Sequence, residues 1–256
     1  MPAQCTWCSA RRPVRRWICR LDGGGDDSLN GGAGEDVIRV GATAGADVFN
    51  GWTGGVRIAA VAFSAVMGMA SVGAANSIET ITANGLMGVQ IRGMTGNDNL
   101  NFSATTLTGI TRINADLSND TVAGSGGADT IVGGRGKDTM TGGLGNDVFD
   151  FNLLSESGTG ALWDLITDFA PGSDKIDLPT IDARILAGNA GDQAFAFINN
   201  VGFSGGAAAE VRVDTGTAGY TRIPIDTDDV GIGVSMEIRV ANEGRLPALT
   251  AGDFML

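Results

Sequence analysis

Four aspartates recur at a spacing of nine residues in a glycine-rich stretch of the chain. Gly124–Asp150 reads GSGGADTIV, GGRGKDTMT and GGLGNDVFD, and the preceding ADLSNDTVA keeps the aspartate in phase without the glycines. Carboxylates and the exposed carbonyls of glycine turns are both donors that Ca²⁺ accepts, about six to eight of them at about 2.3–2.6 Å. The pattern therefore predicts calcium bound by repeated turns that carry Asp120, Asp129, Asp138 and Asp147.

One turn cannot surround the ion, so we expect turns of neighbouring coils to share it. Two nine-residue units make one coil, which pairs Asp120 with Asp138 on one edge and Asp129 with Asp147 on the other. Asp and Gly are also the commonest turn residues, and an isolated pair would be read as a solvated turn. The unbroken spacing favours several bound calcium ions instead.

An earlier block carries the same pattern less completely. DGGGDDSLN is followed by GGAGEDVIR, which places Asp27 and Asp36 nine residues apart. Neither has an aspartate 18 residues later, but a two-residue bulge would bring Asp47 beneath Asp27. A weaker unit, GMTGNDNLN, supplies Asp98. Besides these aspartates, the predicted calcium ligands are the turn glycines Gly31, Gly32, Gly34, Gly124, Gly126, Gly133, Gly134, Gly136, Gly142, Gly143 and Gly145.

The repeat also predicts the fold. Glycine-rich turns alternate with x-U-x strands, where U is a large apolar residue, and the unit G-G-x-G-x-D-x-U-x is typical of a β-solenoid. The sequence resembles the RTX (repeat-in-toxin) family over 22–39 and 115–150. That resemblance implies an all-β, right-handed parallel β-roll or β-helix over residues 21–150. Short β-type runs in 40–114 indicate that degenerate repeats continue the solenoid; a small inserted β-domain is the alternative.

The period ends after Phe151. The stretch LWDLITDFAPGSDKIDL, with Asp164, Asp174 and the terminal Asp253–Phe254, resembles the serralysin-type C-terminal β-domain of secreted exoproteins. The resemblance implies that 151–256 is such a domain. It also implies export by type I (ABC) secretion machinery, directed by a signal at Asp253, Phe254, Met255 and Leu256. The same tail could form a final β-strand, and both can hold.

Composition excludes several classes of function. The chain has no His, which removes His-dependent catalysis and His–zinc sites, and its net charge of −12 repels nucleic acid. Ile58–Ala75 is uncharged, but its Ala, Gly, Ser and Val content favours buried strands over a membrane span.

The three cysteines all precede residue 20. Cys5 and Cys8 have the C-x-x-C spacing of a zinc or redox pair, but one pair with an odd third Cys and no His does not define a site. We expect residues 1–20 to be a leader outside the fold.

Together these features predict a calcium-binding module of a type I-secreted exoprotein, which folds on extracellular calcium and is not an enzyme. The resemblance implies a location outside, or on the surface of, a Gram-negative bacterium. The alternatives are a surface adhesin or surface-layer protein, and a fragment of a secreted serralysin-like hydrolase without its catalytic domain.

Overall fold

The structure is a computed structural model of the 256-residue chain. The residues that it describes are 4–8, 16–21, 26, 28–32, 34–41, 45, 47–52, 54–69, 71–73, 77–181, 194–199, 202–203, 209–215, 219–227, 233–241 and 248–256. Across these ranges the regular structure consists of short β-strands and one 3-10 turn at Ala251–Asp253. The predicted all-β class is therefore confirmed.

Most strands belong to three sheets that are parallel over the repeats. The first sheet contains β1 (Gln4–Cys8), β2 (Arg16–Leu21), β4 (Asp36–Val40), β6 (Val56–Ala60), β9 (Ile78–Thr82) and β12 (Thr106–Thr108). The second contains β7 (Val66–Gly68), β10 (Gln90–Arg92), β13 (Ile113–Asn114), β15 (Thr130–Val132), β17 (Val148–Asp150), β19 (Lys175–Asp177) and β24 (Phe254–Met255). The third contains β8 (Ser71–Val72), β11 (Asn99–Asn101), β14 (Thr121–Ala123), β16 (Thr139–Thr141), β18 (Asp164–Ile166), β20 (Ala196–Asn199), β21 (Glu210–Val213), β22 (Tyr220–Asp226) and β23 (Met236–Ala241).

The strong repeats pair as their spacing predicts. Thr121 of β14 lies opposite Thr139 of β16, and Thr130 of β15 lies opposite Val148 of β17. Consecutive nonapeptides therefore alternate between the third and second sheets, and each sheet gains a strand every 18 residues. This parallel arrangement is consistent with the β-roll that the repeat predicts.

A narrow apolar core runs between these sheets. Val122, Ile131, Met140 and Phe149, the U residues of successive repeats, are all fully buried. Side chains alternate across a strand, so a three-residue strand with an inward centre places one large side chain in the core. Burial of such a side chain stabilises the fold by about 1.5–3 kcal/mol.

The described strands within residues 40–114 pair in parallel in the same way, with more residues between paired strands. Ile38 lies opposite Ile58, and Ile58 opposite Ile81, which gives a stack of buried isoleucines in the first sheet. The described part of the uncharged run Ile58–Ala75 contains the end of β6 and all of β7 and β8, which confirms its interpretation as strand and turn. A two-stranded sheet of β3 (Ser28–Gly32) and β5 (Val48–Trp52) completes this end.

Strands after Phe151 extend the same sheets. β18 adds to β16 and β19 adds to β17, both in parallel. β22 then pairs antiparallel with both β21 and β23, and β23 joins β18. The predicted division at residue 150, and the serralysin-type nature of 151–256, stay predictions. The predicted leader contains β1 and β2, and its boundary at residue 20 stays a prediction as well.

Candidate metal centre

Aspartates of the third sheet form a hydrogen-bonded row across its parallel strands. The backbone N–H of Asp98 donates to Oδ1 of Asp120 at 2.7 Å, and that of Asp120 donates to Oδ1 of Asp138 at 2.8 Å. The N–H of Asp138 then donates to Oδ1 of Asp164 at 2.7 Å. Each accepting carboxylate thus uses its Oδ1 atom to bind a backbone N–H group of the preceding coil.

The second sheet carries a matching row on the other edge. The N–H of Asp129 donates to Oδ1 of Asp147 at 2.9 Å, and the N–H of Asp147 donates to Oδ1 of Asp174 at 3.0 Å. The pairings Asp120–Asp138 and Asp129–Asp147 therefore exist in the register that the sequence predicts. The role of these residues in metal binding stays a prediction.

Four of these carboxylates have a second oxygen that is left over. Oδ2 of Asp120, Asp138, Asp147 and Asp164 is buried and has no hydrogen-bond partner among the described residues. The four residues are between 0% and 2% exposed. An unsatisfied buried polar atom costs about 1–3 kcal/mol, and more when it is charged, so native proteins rarely contain four in one region.

Other members of the rows use their Oδ2 atom in a hydrogen bond within their own turn. Oδ2 of Asp129 accepts the N–H of Ser125 at 2.6 Å, and Oδ2 of Asp174 accepts the N–H of Ala170 at 2.7 Å. In each case the donor lies four residues earlier, at the start of the turn. The complete glycine turns before Asp138 and Asp147 do not make this bond, which leaves their carboxylate oxygens available to a cation.

Backbone carbonyls approach the same turns very closely. A Cβ on Gly134 would lie 2.1 Å from the carbonyl oxygen of Asp116, and a Cβ on Gly136 would lie 2.0 Å from that of Ser118. Gly134 also has a φ of 90°, which disfavours any side chain. The coils can stack at this distance only because these positions are glycine, and the stacking lines the turns with oxygen atoms.

Burial changes the acidity of the leftover carboxylates. Burial, with the charges of Asp138 and Asp98, raises the pKa of Asp120 to about 7. Burial, with the charge of Glu156, raises that of Asp138 to about 7. Burial, with neighbouring carboxylates, also raises the pKa of Asp147 to about 6 and that of Asp164 to about 9. A bound cation would supply the positive charge that these carboxylates lack.

The residues present fit calcium. Oδ2 of Asp120, Asp138, Asp147 and Asp164 would hold it, together with turn carbonyls such as those of Asp116 and Ser118. Within the described part of the chain, no three His, Cys, Asp or Glu side chains converge on one point. Donor sets that mix carboxylates with carbonyls suit hard cations such as Ca²⁺ better than Zn²⁺ or Cu²⁺.

The first block differs from the second. Ser28 lies opposite Val48, so this coil spans 20 residues. The predicted pairing of Asp27 with Asp47 requires a coil of this length, which is two residues longer than 18. Asp27 itself lies outside the described residues. Asp36 and Asp47 are buried, and their N–H groups donate to the carbonyls of Gly55 and Gly68 at 2.9 and 3.2 Å.

The predicted glycines are distributed over these turns. Gly31 and Gly32 belong to β3, and Gly34 follows with a φ of 128°. The second block presents Gly124, Gly126, Gly133, Gly134, Gly136, Gly142, Gly143 and Gly145 in the turns before β15, β16 and β17. Whether their carbonyls bind metal stays a prediction.

Sequence spacing missed several participants. Asp164 and Asp174 continue the two rows across coils of 26 and 27 residues, which break the period of nine. Asp168 accepts the N–H groups of Gly142 and Gly143 at 2.8 and 2.9 Å. The available signal was the aspartate placed two residues before a buried apolar residue in DLI and DKI.

The C-terminal tail is folded. Asp253 accepts N–H groups from Gly172 and Thr250, both at 2.7 Å. Phe254 and Met255 form β24 beside β19, and Leu256 packs against the core. The predicted final strand is confirmed, and the export role of the tail stays a prediction.

Comparison with known proteins supports the repeat. Residues 21–43 and 114–149 match the model of the RTX calcium-binding nonapeptide repeat, with four copies. The chain therefore carries a calcium-binding RTX repeat module. A comparison with curated protein sequences found no significant match.

Two solved structures are similar to this chain. The AlgE6R2 subunit of the Azotobacter vinelandii mannuronan C5-epimerase is 26% identical, with a TM-score of 0.46, over 65% of this chain and 91% of its own. The AlgE6R3 subunit of the same enzyme is 23% identical, with a TM-score of 0.39, over 72% of this chain and 80% of its own.

Proposed function

We propose that this chain is the calcium-folded export module of a secreted bacterial protein and has no catalytic role of its own. The observation that carries the proposal is that the buried Oδ2 atoms of Asp120, Asp138, Asp147 and Asp164 have no hydrogen-bond partner among the described residues. They lie in two rows of stacked turns, where divalent cations would join neighbouring coils.

The metal-free form of this region is disfavoured electrostatically. Charged carboxylates in adjacent coils repel each other, and their burial removes the water that would otherwise solvate them. Each short strand contributes one U side chain to the core, while its glycine turns lose much backbone entropy on folding. Calcium therefore decides whether these coils fold.

The site chemistry connects folding to location. Oxygen-donor sites of extracellular modules bind Ca²⁺ with dissociation constants of about 10⁻⁴–10⁻³ M. Cytosolic calcium is too low to fill such sites, so the repeats would stay unfolded before export and would fold outside. Type I secretion of an unfolded chain fits this order of events.

A calcium titration tests the folding claim. Far-UV circular dichroism should show strand signal that rises with millimolar Ca²⁺ and is lost in excess chelator, and calorimetry should show binding over the same range. Asp138→Asn should weaken the response, while Asp214→Asn, the same charge change outside the repeats, should not. A spectrum that is the same in chelator and in calcium would reject the proposal.

Export is tested separately. Deletion of the last 15 or so residues should abolish appearance of the chain in the medium of cells that express a type I transporter. Because the tail also completes a sheet, Phe149→Ala serves as a control that weakens the core and keeps the tail. Normal export of the truncated chain would reject the signal role of Asp253–Leu256.

The absence of His from the sequence supports a non-catalytic role. It removes the His ligands of the zinc ion on which serralysin-like hydrolysis depends. The resemblance of 151–256 to the serralysin-type domain supports an export role for the part of the chain that follows the repeats.

A further inference from the structure

The two N-terminal strands place two of the three cysteines directly opposite each other. β1 and β2 pair antiparallel with Cys5 opposite Cys19, while Cys8 lies opposite Arg16. The C-x-x-C spacing of Cys5 and Cys8 does not by itself define a pair. In the backbone register, the residue opposite Cys5 is Cys19.

Backbone geometry favours this second pairing. Directly opposite residues of an antiparallel pair have Cα atoms about 4.5 or 5.5 Å apart. Both distances lie within the range of about 4.4–6.8 Å that a disulfide spans. Residues three apart in one strand belong to opposite faces of the sheet, so β1 separates Cys5 from Cys8.

The surroundings of the pair add a reason for a cross-link. Cys19 lies opposite Ile38 in parallel register, and Ile38 lies opposite Ile58. Ile38 and Ile58 are 1% and 0% exposed, so this register position is occupied by buried side chains in β4 and β6, the next two strands of the sheet. β1 is the outermost strand of this sheet.

We propose that Cys5 and Cys19 form a disulfide that closes the N-terminal hairpin at the edge of the first sheet, and that Cys8 remains a thiol. The two thiols lose two protons and two electrons as the S–S bond forms. A small-molecule disulfide such as oxidised glutathione accepts them, and its own S–S bond breaks to give two thiols. Oxidising compartments support such bonds, and the cross-link is independent of calcium binding.

Peptide mapping of the full-length chain tests the pairing. The protein is equilibrated in calcium with reduced and oxidised glutathione, its free thiols are alkylated, and its linked peptides are identified by mass spectrometry. The thiol count should fall from three to one per chain. The Cys5–Cys19 link should exceed the Cys5–Cys8 link by about tenfold or more, because the folded hairpin raises its effective concentration.

Variants and a denatured sample provide the controls. Cys8→Ser should keep the link, and Cys5→Ser and Cys19→Ser should each retain two thiols. In urea with chelator the preference for Cys5–Cys19 should disappear, since the strand register is lost. A native protein that keeps three thiols in this buffer, or that links Cys5 to Cys8, would overturn the proposal.

Discussion

Asp138 shows what a repeat aspartate does in this molecule. Its Oδ1 accepts the N–H of Asp120 at 2.8 Å, and its buried Oδ2 has no hydrogen-bond partner among the described residues. One oxygen thus joins the backbones of two coils, and the other is left for a cation. This division explains why the carboxylate recurs at each complete repeat.

Asp138→Asn separates these two roles. Asn keeps the acceptor for the N–H of Asp120 but replaces the oxygen that would bind the ion. We expect calcium affinity to fall by about tenfold or more, while the metal-free form becomes more stable by about 1–3 kcal/mol because a buried charge is removed. Calorimetry measures the first effect, and the strand signal that remains in chelator, measured by far-UV circular dichroism, reports the second. Reduced stability in chelator with unchanged affinity would contradict this assignment.

Acid should partly replace calcium. The pKa values of Asp120, Asp138 and Asp164 are raised to about 7, 7 and 9, from 3.8. At pH values between 3.8 and these raised pKa values, the folded metal-free chain therefore binds more protons than the unfolded chain. The stability that these three carboxyl groups contribute in their protonated form is fully present below about pH 4. It is lost as the pH rises through 7 to 9.

In excess chelator, far-UV circular dichroism should show more strand signal from the repeat region at pH 5 than at pH 8. Calcium should add more stability at pH 8 than at pH 5, because ion and proton compete for the same oxygens. A metal-free chain whose stability rises with pH over this range would contradict the raised pKa values.

At the scale of the element, glycines at different positions of the turn have different structural roles. Gly134 has a φ of 90° and lies where a Cβ would meet the carbonyl oxygen of Asp116. Gly126 is exposed, and a Cβ there would meet nothing within 4 Å. The repeat therefore contains a glycine required by stacking and another that is not.

Gly134→Ala and Gly126→Ala form a matched pair. The first should lower the stability of the calcium-loaded chain by at least about 2 kcal/mol, from backbone strain and the close approach to the preceding coil. The second should change it by about 0.5 kcal/mol or less. Thermal unfolding in calcium compares them, and equal losses would show that coil stacking does not set the glycine positions.

The degenerate unit before this turn keeps the same backbone. Asp116 and Ser118 hold φ values of 79° and 80°, in the place of glycines, and Arg92 forms an ion pair with Asp116 at 2.8 Å. The sequence predicted an 18-residue register because the period of nine is unbroken from Asp120 to Asp147. It predicted Asp98 as a ligand from a weaker unit, but it could not predict the register of Asp98 or that Asp164 continues the row, because their coils have 22 and 26 residues.

The same limit explains the cysteines. Local spacing brought Cys5 and Cys8 to attention without defining a site, whereas the pairing of β1 with β2 places Cys5 opposite Cys19. Strand register is a property of the folded sheet, and a motif of four residues does not contain it. The parallel solenoid itself could be predicted because its information repeats along the chain.

At the scale of the whole molecule, the core changes along the chain. β6 buries four of its five residues, while β14, β16 and β17 each bury one of three. The early coils therefore gain more stability from apolar burial, and the strong repeats depend more on the cation.

Among the described residues, no helix is long and apolar enough to cross a bilayer.

This difference predicts uneven folding without metal. In chelator, hydrogen exchange should lose protection first in β14–β17, while β6 and β9 keep more of theirs. Calcium should restore protection of both groups to a similar level. Uniform loss of protection in chelator would show that the early coils do not fold by themselves.

The central claim is that cations join neighbouring coils through Asp120, Asp138 and Asp147. Anomalous diffraction from crystals grown with calcium tests it most directly, because the signal locates each ion against the carboxylate oxygens. We predict ions between the turns of Asp120 and Asp138 and between those of Asp129 and Asp147, with Oδ2 atoms at about 2.3–2.6 Å. A calcium-grown crystal with no anomalous peak at these turns would contradict the claim.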